Sequence, residues 1–350
     1  MKKLTILLTI AAMVFGCGQQ KKSQEETSDS KQFVVSGTIE YPHEFKYEGN
    51  PLVRNHSATD PDAVVWDGKV WVYTSQDHPR KPNGKGVYEV MDGYHVYSTS
   101  DMVNWTDHGE IMHSRDVSWG IDGGGWMWAP GVARKDGKYY LYYPHKDKEE
   151  TWRIGVAIGN SPTGPFEDIG NYIEGLRGID PMVFIDDDGE AYIYINMDGE
   201  SHNFNNSTRV AKLKPNMIEL AEEARMIDYA PRNVMETDTL RFLEGAFMHK
   251  KDGDYYFSYT NWQNKTHQGF YCIGDNPYGP FEWMGPMAPK PKGAQDHHSI
   301  IEFNDQWYYF YQIGGNEFKP EGYDGSRRVA SFDKLYYNED GTIQMVEHTR

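Results

Sequence analysis

Five residues hold corresponding places along this chain, and their side chains could do acid–base chemistry. Asp60, Trp128, Asp180, Glu244 and His297 each stand seven or eight residues before the Asp of a polar turn, at Asp67, Asp136, Asp188, Asp252 and Asp305. Three of the five are carboxylic acids. Carboxylates gathered at one point repel each other and lose water, so at least one is expected to keep its proton near neutrality. Folding does not require that cost. Two acids across a hollow with a third beside them is what hydrolysis of a glycosidic bond needs: one protonates the leaving oxygen, another activates water, and the third tunes the acid. Asp62 competes with Asp60, from which it is two residues away on the same strand face. Asp60 is preferred because it keeps the Asp-Pro step of Asp180-Pro181.

Residues so far apart in the chain meet only if repeated elements carry them to one place. The segments 62–75, 130–144, 181–196, 245–260 and 298–313 share one plan of a short apolar strand, a polar turn and an aromatic strand. The turns read Asp67-Gly68, Asp136-Gly137, Asp188-Gly189, Asp252-Gly253 and, in the odd copy, Asp305-Gln306. Asp-Gly suits a tight hairpin because both residues tolerate positive φ. Each copy is followed by a strand, a turn and a shorter outer strand, within 93–109, 152–168, 209–220, 269–283 and 328–343. This spacing predicts an all-β, five-bladed β-propeller of four-stranded antiparallel blades around a central axis. The first strand of each blade lines the axis, so the five marked residues converge there. A β-sandwich does not explain five copies with one internal order. Phe33–Tyr41 has no repeat of its own, so it or its surroundings is expected to close the ring against the last blade.

Composition agrees with a β-rich fold. The 350 residues include 10 Trp, 25 Tyr and 15 Phe, with 35 Gly and 18 Pro between short aromatic runs, a pattern that excludes a helical bundle. The net charge of −17 disfavours a nucleic-acid partner. Lys2 and Lys3 precede an apolar run from Leu4 to Phe15 that ends at Gly16-Cys17. Residues 1–17 thus read as a signal peptide with a lipoprotein-type cleavage site, Cys17 as the lipidated residue and 18–32 as a flexible tether to a catalytic domain at 33–350. The expectation is a monomer in the bacterial cell envelope that meets the membrane only through this anchor. Cys272 lies in an apolar run and reads as a buried small hydrophobe.

The steps Asp60-Pro61, Trp128-Ala129-Pro130, Asp180-Pro181, Glu244-Gly245 and His297-x-Ser299 resemble glycoside hydrolase family 43, a group of five-bladed propellers that debranch arabinan and xylan. The resemblance runs from about Asn50 to the C-terminus. It implies Asp60 as general base, Glu244 as general acid and Asp180 as the residue that raises the acid's pKa and orients it. It further implies inversion at the anomeric carbon, a substrate contact for Arg328, and a place for His297 beside a water or calcium ion on the axis. No cofactor is required; a structural calcium near the axis is the metal to look for. The implied activity is that of an α-L-arabinofuranosidase or β-xylosidase acting on plant-type oligo- or polysaccharides. Asp296 stands where the family usually has Gly before the His, and Ala246 where Pro often follows Glu-Gly. Other readings are a non-catalytic glycan-binding propeller and a fructan-cleaving propeller hydrolase. The latter carries Arg-Asp-Pro and Glu-Cys where this chain has Ile179-Asp180-Pro181 and Glu244-Gly245.

Several further residues have two readings. Trp126 and Trp128 follow Gly123-Gly124-Gly125, which suggests a rim loop offering aromatic faces to a sugar. His298 reads as facing away from His297. His56, His78, His145 and His267 read as solvated or hydrogen-bonded, with His78 and His145 placed to rim the pocket. Asp186-Asp187-Asp188-Gly189 looks like a calcium loop but lacks the remaining ligands, so a solvated hairpin tip is preferred. Lys146–Glu150 reads as an exposed charged loop.

Overall fold

Aromatic and β-branched runs broken by turns build five separate sheets. The computed structural model describes residues 40–80, 86–197, 208–230, 242–263, 266–294 and 297–350. The sheets succeed one another along the chain, and the main strands of each pair antiparallel with their sequence neighbours, with an added outer strand from earlier in the chain in blade 1 and a short parallel one, Tyr229–Ala230, in blade 4. Their first strands are Thr59–Trp66 in blade 1, Gly131–Lys135 in blade 2, Gly178–Ile185 in blade 3, Phe242–Lys251 in blade 4 and Ser299–Phe303 in blade 5. The fold is a five-bladed β-propeller, and the described residues include short 3-10 turns but no α-helix. Val35–Arg350 forms a single compact unit. The proposed leader, tether and Cys17 lie outside the described residues.

The second strand of each blade is a continuous apolar run rather than an alternating one, because both of its faces pack on neighbouring strands or blades. Lys69–Ser75 is buried at every position after the first. Accordingly the core consists of layers between blades. One layer joins Val72, Tyr97 and Trp105 of blade 1 to Phe303, Phe310 and Phe332 of blade 5. Another joins Tyr73, Tyr94 and Val96 of blade 1 to Val132, Leu141 and Tyr143 of blade 2. Cys272 is buried in the layer that includes Phe257 and Phe281.

Turn chemistry follows the hairpin expectation in blades 1, 2 and 4 and departs from it in blades 3 and 5; in blade 3 the pairing Ile185↔Ala191 leaves a five-residue turn, 186–190, in which Gly189 but not Asp188 has positive φ. Asp67, Asp136 and Asp252 have φ of 52°, 51° and 53°, and the Gly after each is also positive. In blade 5 the pairing Phe303↔Gln306 puts Asn304 and Asp305 in the turn, with φ of 52° and 59°. The predicted pair Asp305-Gln306 is therefore one residue too late; Asn, like Asp, tolerates the left-handed region, and Gln does not.

The segment that closes the ring also differs from expectation. Of Phe33–Tyr41 only Glu40 and Tyr41 are described, and neither is in a strand; the nearby strand His43–Lys46 pairs with Asn104–Asp107 on the outside of blade 1. Closure falls to residues 50–58. Blade 5 has three strands of its own, and its free edge takes the Leu52 N–H on the Ala330 carbonyl at 2.8 Å and the Ala58 N–H on the Arg328 carbonyl at 3.3 Å. Asn50 is buried and both donates to the Phe332 carbonyl and accepts the Phe332 N–H, each at 3.0 Å. Residues 50–58 and the last strand of blade 5, Arg328–Leu335, thus share one sheet edge, which joins the last blade to the first.

Candidate active site

The start of an inner strand here is not regular β structure, and that irregularity aims the acids. Pairing slips between Thr59 and Asp62 in blade 1, between Ile179 and Met182 in blade 3, and twice between Phe242 and Phe247 in blade 4. Asp60 and Asp180 take left-handed φ of 53° and 52°, and Gly245, directly after Glu244, has φ of 65°. An extra residue in one strand bends it and re-aims a side chain, and a left-handed non-glycine residue persists only where its surroundings hold it there.

Asp60, Asp180 and Glu244 all line one pocket of about 370 Å³, together with Trp128, His297, Arg328, Tyr88, Met91 and His267. A second cavity of about 650 Å³ shares Tyr88, His267 and Arg328 with it. Trp126 does not line the pocket. Its ring centre lies 6.1 Å from that of Trp128, and the Lys146 ammonium caps it at 3.7 Å, so Trp126 braces Trp128 from behind. The Trp128 indole N–H donates to the Tyr88 carbonyl at 2.8 Å.

Asp60 is the most constrained of the acids. Its Oδ1 accepts from Arg328 Nη1 at 3.1 Å and its Oδ2 from the Ser75 hydroxyl at 2.5 Å, while its backbone N–H donates to Gln312 Oε1 at 2.6 Å. Burial pushes its pKa up, but Arg328, His297, Ser75 and Gln312 together outweigh burial and hold the carboxyl below its ordinary value. Arg328 is gripped by a fully buried Asp77, which accepts from Nε at 3.1 Å and from Nη2 at 2.9 Å, and from the Arg328 backbone N–H at 2.7 Å. That two-pronged pairing fixes the guanidinium plane and turns Nη1 toward Asp60.

Asp180 is in the opposite state. Burial first, then the charges of Glu244 and Asp60, raise its pKa to about 7 against the opposing pull of His297 and the Gly245 N–H. The Gly245 N–H reaches Asp180 Oδ2 at 3.3 Å, so Asp180 grips the backbone right after Glu244. His297 Nε2 lies 3.9 Å from Asp180 Oδ2, and both of its ring nitrogens are buried without a hydrogen-bond partner. His267 Nδ1 lies 3.7 Å from Glu244 Oε1.

Asp62 leaves the contest for the base. The bulge breaks the i, i+2 relation to Asp60, and the Asp62 carboxyl instead accepts the Val132 N–H of blade 2 at 2.7 Å, where burial raises its pKa to about 7. His78 and His145 do not line the pocket either: His78 pairs with Asp92 at 2.9 Å, and His145 Nδ1 lies 2.7 Å from the Lys146 carbonyl. His298 is buried against Ser258 at 2.9 Å. Two loop readings need correction. Asp147 is buried on Arg153 at 2.7 Å, inside the segment read as exposed, and Asp186 of the acidic hairpin tip joins blade 3 to Lys250 of blade 4 at 2.9 Å. Asp77, Ser75 and Gln312 escaped the sequence reading, and His267, read there as solvated or hydrogen-bonded, lines the pocket instead. The available signal for Asp77 was a carboxylate placed two residues after an apolar strand.

The sequence profile of glycosyl hydrolases family 43 matches residues 48–343. A xylosidase/arabinosidase from Bacteroides ovatus is 36% identical over 86% of this chain and 98% of its own length. A β-xylosidase from Xylanibacter ruminicola is 32% identical over 82% of this chain and 96% of its own. Among solved structures, a family 43 β-xylosidase/α-arabinofuranosidase from a compost microbial metagenome, in complex with xylotriose and in a calcium-free form, superposes with a TM-score of 0.75 at 35% identity, covering 87% of this chain and 98% of that one. With the propeller and its pocket of carboxyls in place, these likenesses identify the chain as a glycosidase that belongs to glycoside hydrolase family 43.

Proposed function

We propose that the protein removes terminal xylosyl or arabinofuranosyl units from plant-type pentose oligo- and polysaccharides, with inversion at the anomeric carbon. The observation that carries this reading is the convergence of Asp60, Asp180 and Glu244, from three blades, on a single pocket beside Trp128. A volume of about 370 Å³ suits the end of a chain, being near the lower limit of ligand pockets, about 300–1,000 Å³. The adjoining cavity leaves space for the rest of the substrate. The names of the relatives support a pentose.

Asp60, kept ionised by Arg328 and Ser75, acts as the base. It takes a proton from water as the water oxygen bonds to the anomeric carbon; the bond to the leaving oxygen breaks, and that oxygen receives the proton of Glu244. Asp180 positions the acid through the Gly245 N–H, Trp128 offers a face to the sugar, and Arg328 and His297 contact it from the axis. The two unpartnered nitrogens of His297 also fit a water-bridged calcium ion, which when bound would add positive charge beside Asp180. We further propose that Cys17 is lipidated and tethers the enzyme to the bacterial cell envelope; the support is Lys2, Lys3 and the apolar run before Cys17.

Glu244→Gln should lower turnover of xylobiose by about 10²–10⁴-fold with Tm unchanged, and should affect an activated aryl xyloside much less. Asp60→Asn should impair both substrates alike, because attack itself needs the base. Assays of aryl arabinofuranoside, xyloside and galactoside in parallel test the sugar. Wild-type turnover by Glu244→Gln on xylobiose, or cleavage of the galactoside alone, would overturn the assignment.

A further inference from the structure

Away from the pocket, three side chains from three segments converge. His56 belongs to the closing segment, while His95 and Asp107 lie on the third and fourth strands of blade 1, Gly93–Thr99 and Asn104–His113. His56 Nε2 lies 3.5 Å from Asp107 Oδ2, His95 Nδ1 lies 4.0 Å from Asp107 Oδ1, and all three donor groups fall within 4.8 Å of one another. Among the described residues this is the one group of three His, Cys, Asp or Glu side chains with such spacing. None of them lines the catalytic pocket.

Three features mark the cluster as more than neighbours in a crowded sheet. His95 Nδ1 is buried and has no hydrogen-bond partner, yet faces a carboxylate. Such a nitrogen normally finds a donor or acceptor, so its lone state needs a reason. The strand register slips between His95 and Tyr97, which brings His95 out of regular pairing beside Asp107. The Tyr97 hydroxyl lies 2.6 Å from His56 Nε2 and would be replaced on that nitrogen by a bound ion, while Asp107 is oriented from behind, its Oδ1 accepting the Gly109 N–H at 2.9 Å. Partners of this kind are what set the aim of metal-binding imidazoles and carboxylates.

We propose that His56, His95 and Asp107 bind a divalent transition-metal ion of the Zn²⁺ class, with water in the fourth position. Two imidazole nitrogens and a carboxylate suit zinc, whereas calcium takes oxygen ligands. Around a tetrahedral ion with bonds of about 2.0–2.1 Å, donors lie about 3.3 Å apart. With one donor atom from each residue the three lie within 4.8 Å of one another, so closing on the ion requires a contraction of about 1.5 Å at most. The ion would tie residues 50–58, which complete blade 5, to blade 1, and so act as a clasp on the ring rather than in the reaction.

The test uses the full chain without a polyhistidine tag, stripped with a chelator and titrated with ZnCl₂ by calorimetry, with Co²⁺ as a spectroscopic probe. The expected result is one equivalent bound, a tetrahedral Co²⁺ absorption band, and a higher Tm with zinc than without. His95→Gln and Asp107→Asn should each weaken binding by about tenfold or more. Should either variant fail to fold, the wild-type titration still decides. No stoichiometric binding by the wild type, an octahedral Co²⁺ spectrum, or undiminished affinity in a folded His95→Gln variant would each overturn the site.

Discussion

Two buried aspartates with opposite environments divide the residue-scale chemistry. Asp60 has Arg328 and Ser75 at hydrogen-bond distance and stays ionised, whereas Asp180 keeps its proton up to about 7. The Asp180 proton is lost as pH passes through about 7, beside the carboxyl of Glu244 that the acid step relies on. Accordingly kcat/KM should fall as pH rises through about 7, and Asp180→Asn should move that limb; a profile flat to pH 9 would contradict this. Asp62 gives a second pH effect, on stability. Its folded pKa of about 7 exceeds the unfolded value near 3.8, so between these values the folded chain binds more protons than the unfolded one. Stability is thus full below the lower value and is lost as pH rises through about 7. Asp62→Asn preserves an acceptor for the Val132 N–H and should raise stability at pH 8 by about 2–4 kcal/mol, a gain that shrinks toward pH 4 in paired urea titrations.

At the scale of the element, a strand would normally point every second residue the same way. Bulges at the head of blades 1, 3 and 4 break that rule and turn Asp60, Asp180 and Glu244 inward instead. Gly245 shows the device most plainly. A Cβ there would meet nothing nearer than 3.4 Å, so space is available, and its φ of 65° is the obstacle. Gly245→Ala should cost about 1–2 kcal/mol and, by tilting Glu244, should lower kcat more than it raises KM. A variant with wild-type kcat would show that Glu244 does not depend on this turn.

The whole molecule depends on a ring whose two ends meet at one sheet edge. Asn50 crosses that junction, bonding to the Phe332 carbonyl and N–H and lying 3.3 Å from Asp333 Oδ2 and 3.2 Å from Thr349 Oγ1. Asn50→Ala removes these bonds and leaves buried partners unpaired, at a cost of about 2–4 kcal/mol. The urea midpoint should fall by the corresponding amount while turnover in native buffer stays near wild type, since Asn50 does not line the pocket. An unchanged midpoint would place the closure elsewhere.

The chain's own pattern determined the number of blades, the order of strands and the five positions that meet the axis, because these follow from turn chemistry and apolar runs spelled out within each repeat. It placed the two-residue turns of blades 1, 2 and 4, missed the longer turn of blade 3 at 186–190, and set the blade 5 turn one residue late, since Asn304 and Gln306 differ in a backbone tolerance that outweighs the repeat's spacing. It also placed Asp60 and Asp62 on one face, which local periodicity demands and the bulge undoes. Only the tertiary structure decided the contacts that cross the ring: Asp77 on Arg328, Gln312 on Asp60, His267 beside Glu244, and residues 50–58 against blade 5. Those partners are distant in sequence or carry no pattern, and distance along a chain holds no record of proximity in space until the core layers between blades have packed.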